Sequence, residues 1–285
     1  MAPANNVPPE RLAEIRAHPD FRATVEAHCA RRVQLQAEMD AIARWMTRDL
    51  GIYGLANAVT ILDSLPGGAT AATLLQASQA NGTSSRGRVT KFIDQAQRLG
   101  GLSIPPGSEH WTRRRLIVRP ALSDPIIDQH RAWLLSAARV IPELQAQADR
   151  FNDRIWLGRC NVVTTGLTVS FQHLFAAPEL PMALFTTRDG GMAIFCDLFS
   201  RQAKDRSRLL DSSSLSRNGL AQRNDISRTQ VQRLLADGEA AGLLTCTRDR
   251  VHFTQRVSED AERLFALGFH ICRLAADIVA AIVAE

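Results

Sequence analysis

The sequence predicts a mainly α-helical fold with small β-hairpins, arranged as two copies of one helix-rich unit. Three observations support this prediction. A capped amphipathic helix occurs twice, each copy is followed by short strand-like segments, and long apolar helices flank both. A repeat has to be recognised first, because it decides how every other segment is interpreted.

The repeat is visible as a near-constant shift in position. Five residues of the first copy each have a counterpart 142 positions later; the pairs are Ser85/Ser227, Arg86/Arg228, Val89/Val231, Ile93/Leu235 and Leu102/Leu244. Further upstream, the segment 47–49 (Thr-Arg-Asp) returns as 187–189 with a shift of 140. The sequence therefore predicts an internal duplication.

The clearest helix starts after Ser227, whose hydroxyl can accept a hydrogen bond from a free amide of the first turn. Glycine at position 242 ends this helix, because it adopts a left-handed conformation without steric cost. One face carries a stripe at helical spacing: Val231, Leu234, Leu235, Gly238 and Ala241. The same pattern predicts a matching helix after Ser85.

Each of these helices is preceded by a shorter one. Thr70 can cap the first, which carries Leu74, and a short capped helix within 216–226 carries Leu220. The spacing from the short helix to the next differs between the copies, being 11 residues from Leu74 to Ser85 and 7 from Leu220 to Ser227. The first copy therefore has either a longer turn at 79–84 or one more turn of helix.

Two segments are predicted to form the β-hairpins. The pattern predicts two short strands around a polar tip at 245–254. It also predicts a strand at 111–118 that returns to close the first hairpin. In the second segment we expect Arg113, Arg114 and Arg115 to alternate along the strand, with Trp111 packed beneath it.

The flanking segments are predicted to be helical. One helical region runs from Pro9 to about Trp45 with an interruption near Pro19, and another helix follows Gly51 and ends before residues 66–68 (Pro-Gly-Gly). A helical stretch begins at 124–125 and ends around 156–158, and the duplication favours helix over strand for 162–175. Residues 264–284 carry a helical apolar stripe interrupted by polar residues, which favours a packed helix over a membrane span.

These elements predict three divisions of the chain: a loose tail at 1–9, which lacks the pattern of a signal peptide, a first copy at 10–158 and a second copy at 159–285. The 285 residues suffice for two domains. The formal net charge of +5 is compatible with a nucleic-acid partner but does not establish one.

Composition and spacing argue against catalysis. There is no glycine-rich phosphate loop, no metal-spaced His/Cys set and no nucleophile elbow in the sequence. The five cysteines, Cys29, Cys160, Cys196, Cys246 and Cys272, are expected to be buried thiols of a reducing cytoplasm. We therefore expect no enzyme activity, no bound metal and no cofactor.

The order of helix, turn, helix and basic β-hairpin occurs twice in the chain. This order resembles a winged helix-turn-helix. The order of the flanking helices is similar to that of the MarR type of bacterial transcription regulator, and residues 51–121 and 191–257 carry the resemblance. It implies two tandem winged helix-turn-helix domains joined by long helices. In that family two chains dimerise through their first and last helices, so a duplicated chain would form either a monomeric pseudo-dimer or a homodimer. The resemblance also implies a possible small-molecule effector bound between the long helices and the winged domains, and the scattered cysteines indicate a cytoplasmic protein.

Double-stranded DNA is the partner that the polar helix faces favour. Arginine can form a bidentate contact with guanine, and glutamine can form one with adenine. The expected DNA-binding residues of the two helices are Ser85, Arg86, Arg88, Thr90, Lys91, Ser227, Arg228, Thr229, Gln230, Gln232 and Arg233. The expected phosphate contacts of the wings are Arg113, Arg114, Arg115, Arg248 and Arg250.

Two alternatives stay open at this point. The chain can be a tandem winged-helix module that scaffolds a complex by binding protein, or it can have an architectural or RNA-binding role that uses the same arginines. Basic faces in both copies favour a DNA-binding regulator of transcription whose two unlike helices read two unlike half-sites.

Overall fold

The computed structural model describes residues 7–47, 49–80, 84–107, 110–174, 177–202 and 207–284. It is mainly α-helical with small antiparallel sheets, as the sequence predicts. The chain forms two compact units, Glu38–Asp128 and Met1–Ala37 together with Gln129–Glu285.

The helices in chain order are α1 (Pro9–Ala17), α2 (Phe21–Glu38), α3 (Ala41–Thr47), α4 (Leu50–Ser64), α5 (Ala71–Ala80), α6 (Arg86–Arg98), α7 (Pro120–Ala137), α8 (Pro142–Gln145), α9 (Arg154–Ser170), α10 (Ala183–Thr186), α11 (Gly191–Ser200), α12 (Arg217–Arg223), α13 (Arg228–Ala240) and α14 (Gln255–Ala284). The strands are β1 (Ala69–Thr70), β2 (Leu102–Ser103), β3 (Arg115–Val118), β4 (Ser212–Ser214), β5 (Leu244–Cys246) and β6 (Arg250–Phe253).

Within the unit Glu38–Asp128, residues 49–118 form what we call the N-terminal module. Its order is α4, β1, α5, α6, β2, β3, and β3 lies between β1 and β2 in an antiparallel sheet. Leu116 of β3 pairs with Ala69, and Val118 pairs with Leu102. The helices pack on this sheet through a buried core that includes Leu55, Val59, Leu74, Val89, Phe92, Ile93 and Leu116.

Residues 190–253 of the other unit form the C-terminal module. Its order is α11, β4, α12, α13, β5, β6, and the central strand β6 again pairs antiparallel with both neighbours. Its buried side chains include Phe195, Leu220, Val231, Leu234, Leu235, Leu244, Val251 and Phe253. The two modules therefore share one order of helices and strands.

The predicted return strand at 111–118 is wrong in its first half. Trp111–Arg113 form a 3-10 helix, and only Arg115–Val118 are a strand. The ring Nδ1 of His110 lies 2.8 Å from Thr112 Oγ1 and closes a tight turn. The strand is short because β1 and β2 each offer only two residues to pair with.

Several helical predictions are confirmed. The leading region breaks between α1 and α2 near Pro19, α4 ends before Pro66, and α5 and α12 precede α6 and α13. The leading region also breaks a second time, which was not predicted, because α2 ends at Glu38 and Asp40 caps α3 by accepting a hydrogen bond from Ala43 N. The described part of 162–175 is helical up to Ser170, as the duplication favours.

The helix expected to end near 158 does not do so. Asp153 caps a new helix, α9, by accepting hydrogen bonds from Ile155 N at 2.9 Å and Trp156 N at 3.2 Å. Position 158 therefore lies inside α9 and is not the end of a secondary-structure element. The predicted boundary between the two copies, at 158 and 159, is drawn from sequence similarity, whereas the two compact units are defined by contacts. The boundary between the copies therefore stays a prediction. Of the predicted tail, residues 1–6 lie outside the described chain, and Val7 is buried with Phe171.

The C-terminal helix α14 packs against α9 and α1. Leu264, Leu267 and Ile271 of its predicted stripe are buried, whereas Ile278 and Ile282 near its end are exposed. By length and composition α14 could cross a membrane, but half of its most apolar window is buried inside the protein.

Within the described chain, three histidines are buried in the same unit, namely His28, His130 and His270. His28 of α2 has Nδ1 3.0 Å from Ser136 Oγ, and its ring packs against Trp133 with centroids 4.2 Å apart. Burial, assisted by the charge of Arg32, lowers the pKa of His28 to about 3. Burial also lowers the pKa of His130 to about 4.

None of the five cysteines, all of which lie in the described part of the chain, forms a disulfide, and burial is confirmed for Cys29, Cys160, Cys196 and Cys272. Cys246 is half-buried in β5. Burial raises the pKa of Cys160 to about 12, so this thiol is unreactive at neutral pH.

Two glycines at equivalent places, Gly51 and Gly191, differ in their surroundings. A methyl group added to Gly191 at the start of α11 would overlap the backbone carbonyl of Phe185. A methyl group added to Gly51 in α4 would instead meet the guanidinium of Arg88, which is the end of a flexible side chain.

Candidate nucleic-acid interface

The first turn of α13 is held by a reciprocal cap. Ser227 Oγ accepts a hydrogen bond from Gln230 N at 3.1 Å, and Ser227 N donates to Gln230 Oε1 at 2.9 Å. The predicted cap is confirmed, and Gly242 follows the helix at a φ of 64°. The side chains of Ser227 and Gln230, both expected to contact DNA, are thus used to start the helix.

The rest of α13 separates into two faces. Val231, Leu234, Leu235 and Gly238 are buried, and the opposite face exposes Thr229, Gln232, Arg233 and Ala236. Arg228, the first residue of the helix, is exposed as well. Ala241, expected in the buried stripe, is exposed, because it lies just beyond the last turn of the helix.

The first turn of α6 is built differently. Ser85 Oγ accepts from Arg88 N at 3.4 Å, which confirms the predicted cap. Arginine has no acceptor to offer the cap amide in return. Its guanidinium instead forms an ion pair with both carboxylate oxygens of Asp49, with Nη2 2.6 Å from Oδ2. Asp49 also caps α4, so Arg88 joins two helices of the N-terminal module.

The outward face of α6 carries Gly87, Thr90, Lys91 and Asp94. Lys91 and Asp94 are exposed, and Thr90 is half-buried. The hydroxyl of Thr90 donates to the carbonyl oxygen of Arg86 at 3.1 Å. Arg86 itself is exposed at the start of the helix.

A cavity of about 300 Å³ lies between α5, the start of α6 and the 3-10 helix at 111–113. Its lining includes Leu75, Gln79, Arg86, Val89, Trp111 and Thr112. Trp111 is 37% exposed and lies beside α5, so the expectation that it packs beneath a strand is wrong. The cavity lies inside the N-terminal module, and an effector between the long helices and the modules stays a prediction.

The three consecutive arginines do not alternate along one strand, because the strand begins only at Arg115. Arg113 is exposed in the 3-10 helix, and Arg114 is half-buried between the helix and the strand. Arg115 is exposed, with Nη2 3.6 Å from Asp63 Oδ1. The cluster still places two exposed cations at the start of β3.

The second hairpin has the predicted polar tip. Thr247 N donates to Arg250 O at 2.8 Å across residues 247–250, and Arg248 is exposed at the turn. Arg250 is also exposed, and its Nη2 donates to Ser212 Oγ of β4 at 2.7 Å. Both hairpins therefore present arginines, in keeping with phosphate contacts.

The short helices account for the unequal spacing before α6 and α13. α5 has 10 residues and α12 has 7, so the first copy contains almost one extra turn of helix. Of the turn expected at 79–84, residues 81–83 lie outside the described chain. In the second copy the turn includes Asp225 at a φ of 51°.

Three acidic residues that form ion pairs at α6, α12 and α13 were not predicted from the sequence. Asp49 holds Arg88, and Asp237 of α13 pairs with Arg188 at 2.7 Å. Asp197 of α11, only 1% exposed, accepts hydrogen bonds from Arg201 Nε at 2.6 Å, Arg223 Nε at 2.8 Å and Asn224 Nδ2 at 3.1 Å. The repeated Thr-Arg-Asp segment, which contains Asp49 and Arg188, was a signal for the first two; Arg48 of that segment lies outside the described residues.

Within the part of the chain that the structure describes, no group of three or more His, Cys, Asp or Glu side chains could hold a metal ion. Comparison with protein-family models, curated proteins and solved structures gave no match to this chain.

Proposed function

We propose that this chain is a sequence-specific, double-stranded DNA-binding regulator of transcription, built from two winged helix-turn-helix modules in a MarR-like pseudo-dimer. The observation that carries the proposal is the exposed face of α13. It presents Arg228, Thr229, Gln232 and Arg233, and the opposite face packs into the module. A capped helix with such a face suits insertion into a major groove, where these side chains meet base edges.

The order of elements in each module supports the same proposal. A helix, a strand, two helices and a two-strand hairpin is the order of a winged helix-turn-helix, with α6 and α13 in the recognition position. The hairpin arginines, among them Arg113, Arg115 and Arg248, would contact phosphates beside the groove. Such contacts would make binding weaken steeply as the salt concentration rises.

Two modules in one chain do not need identical half-sites. A symmetric dimer requires a near-palindromic operator, because the same helix reads both halves. Here α6 and α13 differ at most exposed positions. We therefore expect an operator with two dissimilar halves.

The test is selection of genomic fragments by the purified full chain at near-physiological salt, followed by sequencing. We expect enrichment of a site with two unlike halves about 10 bp apart. Arg228→Ala is expected to lose that enrichment. Arg98→Ala is the matched control, because this exposed arginine lies in the last turn of α6, about 18 Å along the helix axis from Arg86.

Two outcomes would count against the proposal. One is weak retention of all fragments that disappears as salt is raised, which would indicate charge attraction alone. The other is an equal effect of Arg98→Ala and Arg228→Ala, which would show that the helix starts are not the contact surface.

A further inference from the structure

The two recognition-position helices share their buried faces but differ on their exposed ones. Their buried residues match in position, namely Val89/Val231, Phe92/Leu234, Ile93/Leu235 and Ala96/Gly238. At the first residue and along the outward face the pairs are Arg86/Arg228, Gly87/Thr229, Thr90/Gln232, Lys91/Arg233 and Asp94/Ala236. The modules share arginine at the first of these positions and carry different side chains at the other four.

On α13, three of the five positions carry side chains suited to base recognition. Arg228 and Arg233 offer forked donors that match guanine, and Gln232 offers a donor and an acceptor that match adenine. All three are exposed, and none makes a hydrogen bond or ion pair with another described residue. Ala236 completes the face without adding charge.

On α6 the same positions offer much less. Gly87 has no side chain, and the hydroxyl of Thr90 is already donated to Arg86 O. Lys91 is a point charge that does not distinguish base edges as a fork does. Asp94 places a carboxylate on the outward face, where it would repel phosphates.

The remaining basic residue of the first turn of α6, Arg88, is exposed, but its guanidinium is engaged in an ion pair. Its guanidinium is held by both oxygens of Asp49, which also caps α4. A guanidinium held in this way stabilises the module and is not available to contact bases in a DNA groove. Arg86 is left as the one forked donor among the five outward positions of α6.

We propose that the two modules divide recognition, so that the C-terminal module reads base sequence through Gln232 and Arg233, and the N-terminal module supplies mainly sequence-independent contacts. This inference rests on the proposed DNA-binding function and goes beyond it by naming the residues that determine specificity. It predicts an operator with one strictly specified half and one loosely specified half.

The experiment is selection from a random duplex library by the full chain, with affinities then measured for single-base variants of the selected site. Arg233→Ala and Gln232→Ala are each expected to relax the preference at one base pair by about 5- to 140-fold, the discrimination that one bidentate contact provides. Lys91→Ala is the matched control at the position equivalent to Arg233. It should weaken binding to all sequences by one common factor and lower the salt dependence by about one phosphate contact.

A graft tests the inference in the opposite direction. Gly87→Thr, Thr90→Gln, Lys91→Arg and Asp94→Ala together place the α13 face on α6. There is open space for a side chain at Gly87, and circular dichroism with thermal unfolding checks that the variant folds. We expect the loosely specified half to acquire a defined base preference.

The outcomes separate this inference from the function it depends on. If no sequence is selected, the DNA-reading function itself is overturned. If a sequence is selected with two equally specified halves, or if Lys91→Ala changes base preference, only the division of recognition is overturned. A folded graft that leaves base preference unchanged would also contradict the division.

Discussion

Replacing Asp197 by asparagine removes a buried charge from the C-terminal module without changing the shape of the side chain. Oδ1 of Asp197 accepts from Arg201, and Oδ2 accepts from Arg223 and Asn224. Arg223 and Asn224 lie at the end of α12, so this carboxylate fixes α12 on α11. The substitution tests whether the network is needed for stability.

The magnitude follows from the distribution of these bonds. Asparagine has only one acceptor oxygen in its side chain. Whichever way the amide is turned, at least one hydrogen bond to an arginine is therefore lost. A hydrogen bond to a charged group contributes about 1.5–3 kcal/mol, and the arginines are 38% and 35% exposed, so water recovers part of the loss. We expect Asp197→Asn to lower the free energy of unfolding by about 2 kcal/mol. Asp197→Ala, which removes every acceptor, should cost about 3–5 kcal/mol.

Urea unfolding followed by circular dichroism measures both variants. Asp94→Asn, which changes an exposed carboxylate of α6, is the control and should stay within about 0.5 kcal/mol of the parent protein. If Asp197→Asn were as stable as this control, or Asp197→Ala no less stable than Asp197→Asn, the reasoning would be refuted.

Three further predictions can be checked with the same unfolding assay. Ser227→Ala removes the oxygen that caps α13 and should cost about 1 kcal/mol; an unchanged urea midpoint would contradict the role of the cap. Acidification from pH 7 to 5 should lower stability by about 2 kcal/mol for each of His28, His130 and His270. Burial lowers the folded pKa to about 3 for His28 and to about 4 for His130 and His270, so below about pH 6.5 the unfolded chain binds protons that the folded protein does not. Stability independent of pH in this range would refute the assignment. Gly191→Ala should cost about 1–3 kcal/mol, because its methyl group meets a backbone carbonyl. Gly51→Ala should cost less, since only a flexible side chain must move, and equal costs would contradict the comparison.

Local sequence was sufficient for the caps and the buried stripes. Ser85, Ser227 and Thr70 cap their helices in the same way. The hydroxyl oxygen of each accepts a hydrogen bond from the backbone amide three residues later. Helical spacing identified the buried residues of α6 and α13, because burial of one helix face is a periodic property. Only Ala241, beyond the last turn, did not follow the stripe.

Pairings between distant segments could not be predicted in the same way. Arg88 and Asp49 are 39 residues apart, and Arg223 and Asp197 are 26 apart, so packing of whole helices brings them together. Spacing along the helix alone does not distinguish Arg88, which is paired with Asp49, from the other polar residues of α6. The strand predicted at 111–118 is longer than the observed one, because a strand requires pairing partners that the residue pattern alone does not reveal.

The unequal lengths of α5 and α12 have a consequence for how such a repeat tolerates insertions. Three additional residues rotate a helix by about 300°, close to a full turn, and lengthen it by about 4.5 Å. An apolar face extended in this way still points close to its original direction, whereas one or two added residues would turn it away from the core. Insertions in either short helix should therefore survive in steps of three or four residues, and deletion of one residue should be more disruptive than deletion of a whole turn.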